Sequence, residues 1–379
     1  MWQKHLTLQN NKYNKEGSKR EVVIYLPAFR GFELIRKTIL LSGLILLLLN
    51  TAACGSAEKM RYEGEFLELF DTVTRIIGYA ESKEEFSEYV QLIHDELEVY
   101  HELYDIYNNY EGVNNIKTIN DNAGIGPVKV DRRIIDLLLF SREIHAMSDG
   151  KMNVAMGAVL KIWHEYRESG IDDPEHAEVP PKELLLAASE HIDITDMVID
   201  EENNTVYLKD SKMSLDVGGI AKGYAVEQVS RYIMEQGFTD GLISVGGNVR
   251  SFGYKGKNQE LWSIGVQNPE RGGPDLITVH ITDQSLVTSG DYIRYYTVKG
   301  KRYHHIIDPE TLMPSEYLTA VTIICEDSGM ADALSTMIFN MPFEQGLEYI
   351  EGLENTEAVF VLPDGTIKYS SGFQALLNK

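Results

Sequence analysis

Apolar side chains recur at helical spacing through Phe86, Val90, Ile93, Leu97, Tyr100 and Tyr104, and predict an amphipathic helix. Ser82, with Glu85 three residues on, supplies a capping pair for its start. The run 66–79 before it reads as a strand. Residues 105–122 are rich in Asn, Asp and Gly and read as a loop. Asp131 opens a second helix to about residue 147, and 153–168 reads as a third. The Gly-, Pro- and acid-rich stretch 169–181 reads as an exposed connection. Two β-rich runs, 197–200 and 205–209, bracket a polar turn and predict a hairpin. A strand at 213–216 leads through Gly218-Gly219 into a helix ending near 236. Short strands follow at 241–245, 262–267, 277–282, 285–289, 302–306 and 318–325. Helices at 328–339 and 343–351 and two closing strands complete the pattern. There is no regular βαβ repeat and hairpins are frequent, which predicts an α+β fold of mixed, largely antiparallel sheets with packed helices.

The N-terminal pattern is different in kind. Arg30, Arg36 and Lys37 precede an apolar run over 38–49, and Thr51-Ala52-Ala53-Cys54-Gly55 follows. A basic stretch, an apolar stretch and small residues before a cleavage point make an export signal. The run is shorter than the roughly 20 residues of a comfortable membrane span. Cys54 after two alanines resembles a bacterial lipoprotein signal, in which that Cys is lipidated and becomes the mature N-terminus. Thr51 stands where Leu is usual. The expected organisation is an upstream extension and signal over 1–54, a linker over 55–64 and one domain over 65–379. The expected location is the extracytoplasmic face of the cell membrane, held by the lipid.

Composition narrows the chemistry. Among 379 residues, 35 Lys+Arg stand against 58 Asp+Glu, a net of −23. A nucleic-acid binder needs a basic face, so the balance argues against that class. Cys54 and Cys325 are the whole cysteine complement, too few for a disulfide framework or a cysteine zinc site. Cys325 reads as a small buried hydrophobe.

Five segments could carry chemistry. In 215–225, a strand ends at Asp216, glycines turn the chain and a helix begins with Lys222 one turn in. Glycines allow close backbone approach and a helix N-terminus favours anions, which suits a pyrophosphate; the same turn could be purely structural. In 331–336, Asp332 and Thr336 lie four apart on one helix face, where a carboxylate and a hydroxyl could hold a hard cation such as Mg²⁺. An acid near a helix start is the plainer reading. His304 and His305 end a strand before Asp308-Pro309; their side chains point to opposite faces, so at most one faces a site, where it could act as a general base. Tyr107 and Tyr110, with Asn120 nearby, lie on a loop and could stack on a flat ring. Finally, 148–154 is a loop entering a helix whose backbone could read the edge of a base or flavin.

In this order and spacing the segments resemble the ApbE family of FAD:protein FMN transferases, from about Phe66 to Ser371. The most specific stretches are DVGGIAKGYA at 216–225, SVGGN at 244–248, TSGDY at 288–292, HHIIDP at 304–309 and ADALST at 331–336. The resemblance implies a T-fold-related, two-lobed architecture, FAD as substrate and Mg²⁺ as cofactor. It implies that Asp216 and Lys222 contact FAD, and that the Gly219 carbonyl, Asp332 and Thr336 hold the metal. Lys151, Met152 and Asn153 match a flavin-binding loop whose last position is often Asp. Tyr107 or Tyr110 matches a stacking tyrosine, Phe70 stands where a Met often contacts the cofactor, and Ile307 is a contact position. His305 matches the base that activates a Ser or Thr hydroxyl of an acceptor flavoprotein, with AMP as leaving group. Two rival functions use the same residues: an FAD pyrophosphatase giving FMN and AMP, and a non-enzymatic FAD-binding lipoprotein.

Overall fold

The computed structural model describes residues 58–270 and 272–377. Cys54 and the signal pattern lie outside the described residues. The first strand, Met60–Phe66, takes in the last part of the stretch expected to be linker.

Eight strands form one antiparallel sheet whose spatial order follows chain order: Met60–Phe66, Thr74–Ala80, Gly241–Val245, Asn248–Phe252, Ser285–Gly290, Ala320–Cys325, Glu357–Val361 and Ile367–Tyr369. All six residues of Ala320–Cys325 are buried. A strand buried at every position needs cover on both faces. On one face Ile243, Ile323 and Phe360 join the main core with the helices Lys83–Tyr104, Ala221–Glu235 and Ser328–Phe339. On the other face Leu242, Ile324 and Val359 pack under the hairpin of Trp262–Val266 and Ile277–Ile281. Alternate residues of each strand thus serve different cores, as the pleat requires.

Between the second and third sheet strands the chain leaves for a long excursion, which carries the helices Arg132–Met147 and Gly157–Asp172. The latter helix packs through Val159 and Trp163 against Tyr296 and Val298, in a separate apolar cluster. The strands Tyr295–Val298 and Lys301–His304 form a hairpin there. This cluster is separate from the main core.

Several predicted elements stand as read. Ser82 accepts the Glu85 amide at the start of Lys83–Tyr104, Asp131 caps Arg132–Met147, and the helices Ser328–Phe339 and Phe343–Glu351 have the predicted bounds. Others differ. The strand predicted over 66–79 is broken by a tight turn in which Glu68, Phe70 and Asp71 have positive φ. No glycine marks it; the Phe70 amide donates to His101 Nδ1 at 3.2 Å, a contact made by a distant helix. The loop predicted over 105–122 contains the helix Ile116–Asp121, because Asn115 and Thr118 form a reciprocal capping box. The third helix starts four residues late, at Gly157, and runs on into the predicted connection. The helix Lys182–Ser189 and the strands Asn248–Phe252 and Tyr295–Val298 had no predicted counterpart. Residues 213–216 form no strand. A single bridge joins Ser214 to Met156, and Asn120 supplies the missing partner: its Oδ1 accepts the Leu215 amide at 2.7 Å and its Nδ2 donates to the Leu215 carbonyl at 2.9 Å.

Candidate active site

The segments singled out in sequence converge on one cleft of about 640 Å³. Its first wall is built from the ends of two helices. Glu227, on Ala221–Glu235, accepts from Arg250 Nε at 3.1 Å and from the Ser328 amide at 2.9 Å, all three residues being buried. That charged knot ties the helix to the sheet and to the start of Ser328–Phe339. The helices touch closely enough that a Cβ on Gly223 would lie 2.3 Å from both Asp332 Cβ and the Ser328 carbonyl oxygen. With no side chain there, the Gly223 amide donates to Asp332 Oδ2 at 2.8 Å. One turn further, Thr336 Oγ1 donates to the Gly219 carbonyl at 3.3 Å. Burial pushes the Asp332 carboxyl up, while the Lys222 charge and the Gly223 amide pull the other way. A carboxylate, a hydroxyl and a carbonyl oxygen along one wall of the cleft are the hard donor types that suit Mg²⁺ with few protein ligands.

The floor comes from the turn before the helix. Asp216 Oδ1 accepts the Gly218 amide at 2.8 Å. Burial raises the Asp216 carboxyl, against the Gly218 amide and the charges of His164, Arg167 and Arg294. Lys151 Nζ lies 2.9 Å from Glu310 Oε1 and 3.7 Å from Asp308 Oδ1. Met152 is buried, its amide donating to Ser148 Oγ at 3.1 Å. Asn153 turns its amide nitrogen to the Ile192 carbonyl and its oxygen to the Ala155 amide. Phe70, Lys222 and Ile307 also line the cleft.

The two candidate tyrosines part company. Tyr107 lines the cleft, is 55% exposed and lies 5.2 Å, ring to ring, from His164. Tyr110 is outside the lining: its hydroxyl donates to Asp105 Oδ2 at 2.8 Å.

The opposite wall carries the histidines, which face opposite ways as the strand period requires. His304 is buried; its Nε2–H donates to the Ser315 carbonyl at 2.7 Å and its Nδ1 accepts the Ile306 amide at 3.2 Å. His305 faces the cleft, and its Nδ1 is buried with no hydrogen-bond partner among the described residues. Burial, followed by the charges of Arg294, His304, Arg167 and Lys222, lowers His305 to about 3. An unpartnered, neutral imidazole in a cleft can accept a proton. Arg167, His164 and Arg294 also line this side and were not singled out in sequence. No sequence signal marks Arg294: it lies just before Tyr295–Val298, a strand without a predicted counterpart.

Residues 70–360 match the ApbE family. The chain is 33% identical over 258 residues to an FAD:protein FMN transferase of Klebsiella pneumoniae, covering 68% of this chain and 77% of that protein. An FAD:protein FMN transferase of Treponema pallidum is 29% identical over 350 residues, 87% of this chain and 92% of the relative. Among solved structures, the ApbE protein of Thermotoga maritima superposes with a TM-score of 0.72 at 28% identity, covering 84% of this chain and all of that one. The flavinyl transferase ApbE of Pseudomonas stutzeri, at 21% identity and a TM-score of 0.70, shares the fold.

Proposed function

Because the chain belongs to the ApbE family and is a flavin transferase, we propose that it splits FAD in a Mg²⁺-dependent reaction and attaches the FMN half to a Ser or Thr of another protein. The observation that carries this reading is the pairing, across one cleft, of an oxygen donor set at Gly219, Asp332 and Thr336 with the unpartnered His305 imidazole.

In this reading Asp332, Thr336 and the Gly219 carbonyl hold the metal. When bound, Mg²⁺ supplies neutralisation of pyrophosphate charge and stabilisation of the leaving AMP. Lys222 adds a fixed positive charge beside the same wall. Tyr107, Phe70 and Met152 offer flat and apolar surface to the flavin, and the 151–153 loop its polar edge. His305 takes the proton of the acceptor hydroxyl as its oxygen bonds to the FMN phosphorus. The bond from that phosphorus to the AMP oxygen breaks, and AMP leaves with the electron pair. A phosphoester to the acceptor remains. The pattern ending at Cys54 supports an exported, lipid-anchored enzyme, whose acceptors are extracytoplasmic flavoproteins of membrane electron transport.

AMP release from FAD, followed with Mg²⁺ in the presence and absence of an acceptor domain, tests the reading. Transfer predicts AMP only when acceptor is present. AMP and free FMN formed equally well without acceptor would make the protein a pyrophosphatase, and no AMP in either case would make it a binder.

A further inference from the structure

The hairpin on the histidine wall pairs Tyr295 with His304, and the ladder runs one step further, because the His305 amide donates to the Arg294 carbonyl at 3.1 Å. Arg294 therefore stands directly opposite His305. Residues opposed in an antiparallel pair project to the same face, with Cβ atoms about 5 Å apart. Both side chains line the cleft. A guanidinium beside the base is a liability if it has no other task, since its charge opposes protonation of the imidazole.

Arg294 also stands out in its pairing. Its neighbours on the hairpin find acids: Lys301 meets Glu316 at 2.5 Å and Arg302 meets Asp291 at 3.9 Å. Among the described residues no carboxylate forms an ion pair with Arg294, although the chain carries a net charge of −23. A second guanidinium lines the same side. Arg167 Nη2 donates to His164 Nδ1 at 2.7 Å, and His164 Nε2 in turn meets Glu168 at 3.0 Å, so this arginine is held by a short relay. Two guanidiniums on one side of a cleft that form no direct ion pair with a carboxylate among the described residues favour an anion there.

We infer that Arg294, with Arg167 beside it, is the phosphate-binding residue of the histidine wall, holding the phosphate of the FMN half next to His305. The inference rests on the reading of the preceding subsection. It adds a second anion contact to the Lys222 side, and it gives the guanidinium beside the base a reason: bound phosphate offsets its charge when the base must work. A planar fork suits two phosphate oxygens at once, which a lysine cannot reproduce in full.

The test compares flavins with and without phosphate. Binding of FAD and of riboflavin to the full chain is followed by flavin fluorescence, with divalent ions chelated so that no turnover occurs. Arg294→Gln is expected to weaken FAD by about tenfold or more, the loss typical of a charge-assisted contact. Riboflavin, which has no phosphate, keeps its affinity and reports that the variant is folded. Inorganic pyrophosphate competes with FAD on the wild type and loses potency on the variant, and Arg294→Lys recovers part of the loss. Equal weakening of FAD and riboflavin would make Arg294 a structural residue, and unchanged FAD binding would remove it from the site. Either result overturns the inference while leaving wild-type transfer intact. A wild type that binds no FAD even with Mg²⁺ restored sinks the broader reading as well.

Discussion

On one wall of the cleft, Asp332 accepts a hydrogen bond from the Gly223 amide and the Thr336 hydroxyl donates one to the Gly219 carbonyl. On the other, among the described residues, His305 Nδ1 is buried without a hydrogen-bond partner and Arg294 has no ion pair. The first wall is assembled by packing. Two helices meet where only glycine fits, and the Glu227–Arg250 pair, itself buried, fixes how they meet. The second wall is assembled by a two-stranded hairpin and left electrostatically incomplete. The difference teaches which wall the protein finishes by itself and which one its substrate finishes. A hard-cation site needs its donors gathered beforehand. A base that must act only on a bound phosphoryl donor can wait for the charge that donor brings.

Breaking the second wall has the largest expected effect on rate. His305→Ala should slow transfer by roughly 100- to 10,000-fold, the usual contribution of general base catalysis, while FAD affinity stays within a few-fold. Single-turnover AMP release and equilibrium flavin binding separate the two. A collapse of affinity with little change in the bound-state rate would make the residue a packing element.

Breaking the first wall should instead be felt as instability. Gly223→Ala forces a methyl against the Ser328 carbonyl and Asp332, and overpacking of this kind costs about 1–3 kcal/mol. The denaturation midpoint should fall, and Mg²⁺-dependent activity with it. A variant with the wild-type midpoint would mean that the helices are free to part, contrary to the account.

A smaller effect distinguishes the tyrosines. Tyr107→Ala should weaken FAD by about 3- to 10-fold, since an aromatic contact is worth about 0.5–1.5 kcal/mol. Tyr110→Ala should leave affinity unchanged, because Tyr110 lies outside the cleft lining with its hydroxyl held by Asp105. The reverse ranking, measured by flavin binding, would assign stacking to Tyr110.

The smallest expected effect is an absence of pH dependence. His305 lies at about 3 in the folded protein, through burial and then the Arg294 charge, below the ordinary histidine value of about 6.5. The ring is neutral throughout the neutral range, so kcat/KM, which reports free-enzyme ionisations, should have no inflection near 6.5 from this group. Stability follows the same sign. Because the folded value is the lower one, the unfolded chain binds the extra proton, and stability should decline as pH falls from about 6.5 toward 3. NMR titration of the His305 ring with an ordinary midpoint would contradict the picture of a base held low until substrate arrives.

Much of this was legible in the chain. The helix Lys83–Tyr104 announces itself by its apolar spacing and Ser82 cap. Asp332 and Thr336 sit on one helix face by simple periodicity, and the opposed directions of His304 and His305 follow from the strand period. What the sequence hides are partnerships across long separations. Nothing near Phe70 signals that His101 will hold its amide in a turn. The stretch before Asp216 has the composition of a strand, yet Asn120 replaces the strand partner with a single side chain. An Asn-rich tract looks like a loop until Asn115 is recognised as a cap. Arg294 was overlooked because its meaning depends on the register of a hairpin whose first strand had no predicted counterpart.

The central claim is that this cleft moves FMN onto a protein hydroxyl, and the intact mass of an acceptor domain tests it most directly. After incubation with the enzyme, FAD and Mg²⁺, the acceptor should gain the mass of one FMN phosphoester. The gain should vanish with a chelator, with Asp332→Ala, or when the acceptor Thr or Ser is replaced by Ala. An unmodified acceptor in the presence of accumulating FMN and AMP, or a gain that persists without divalent metal, would contradict the account.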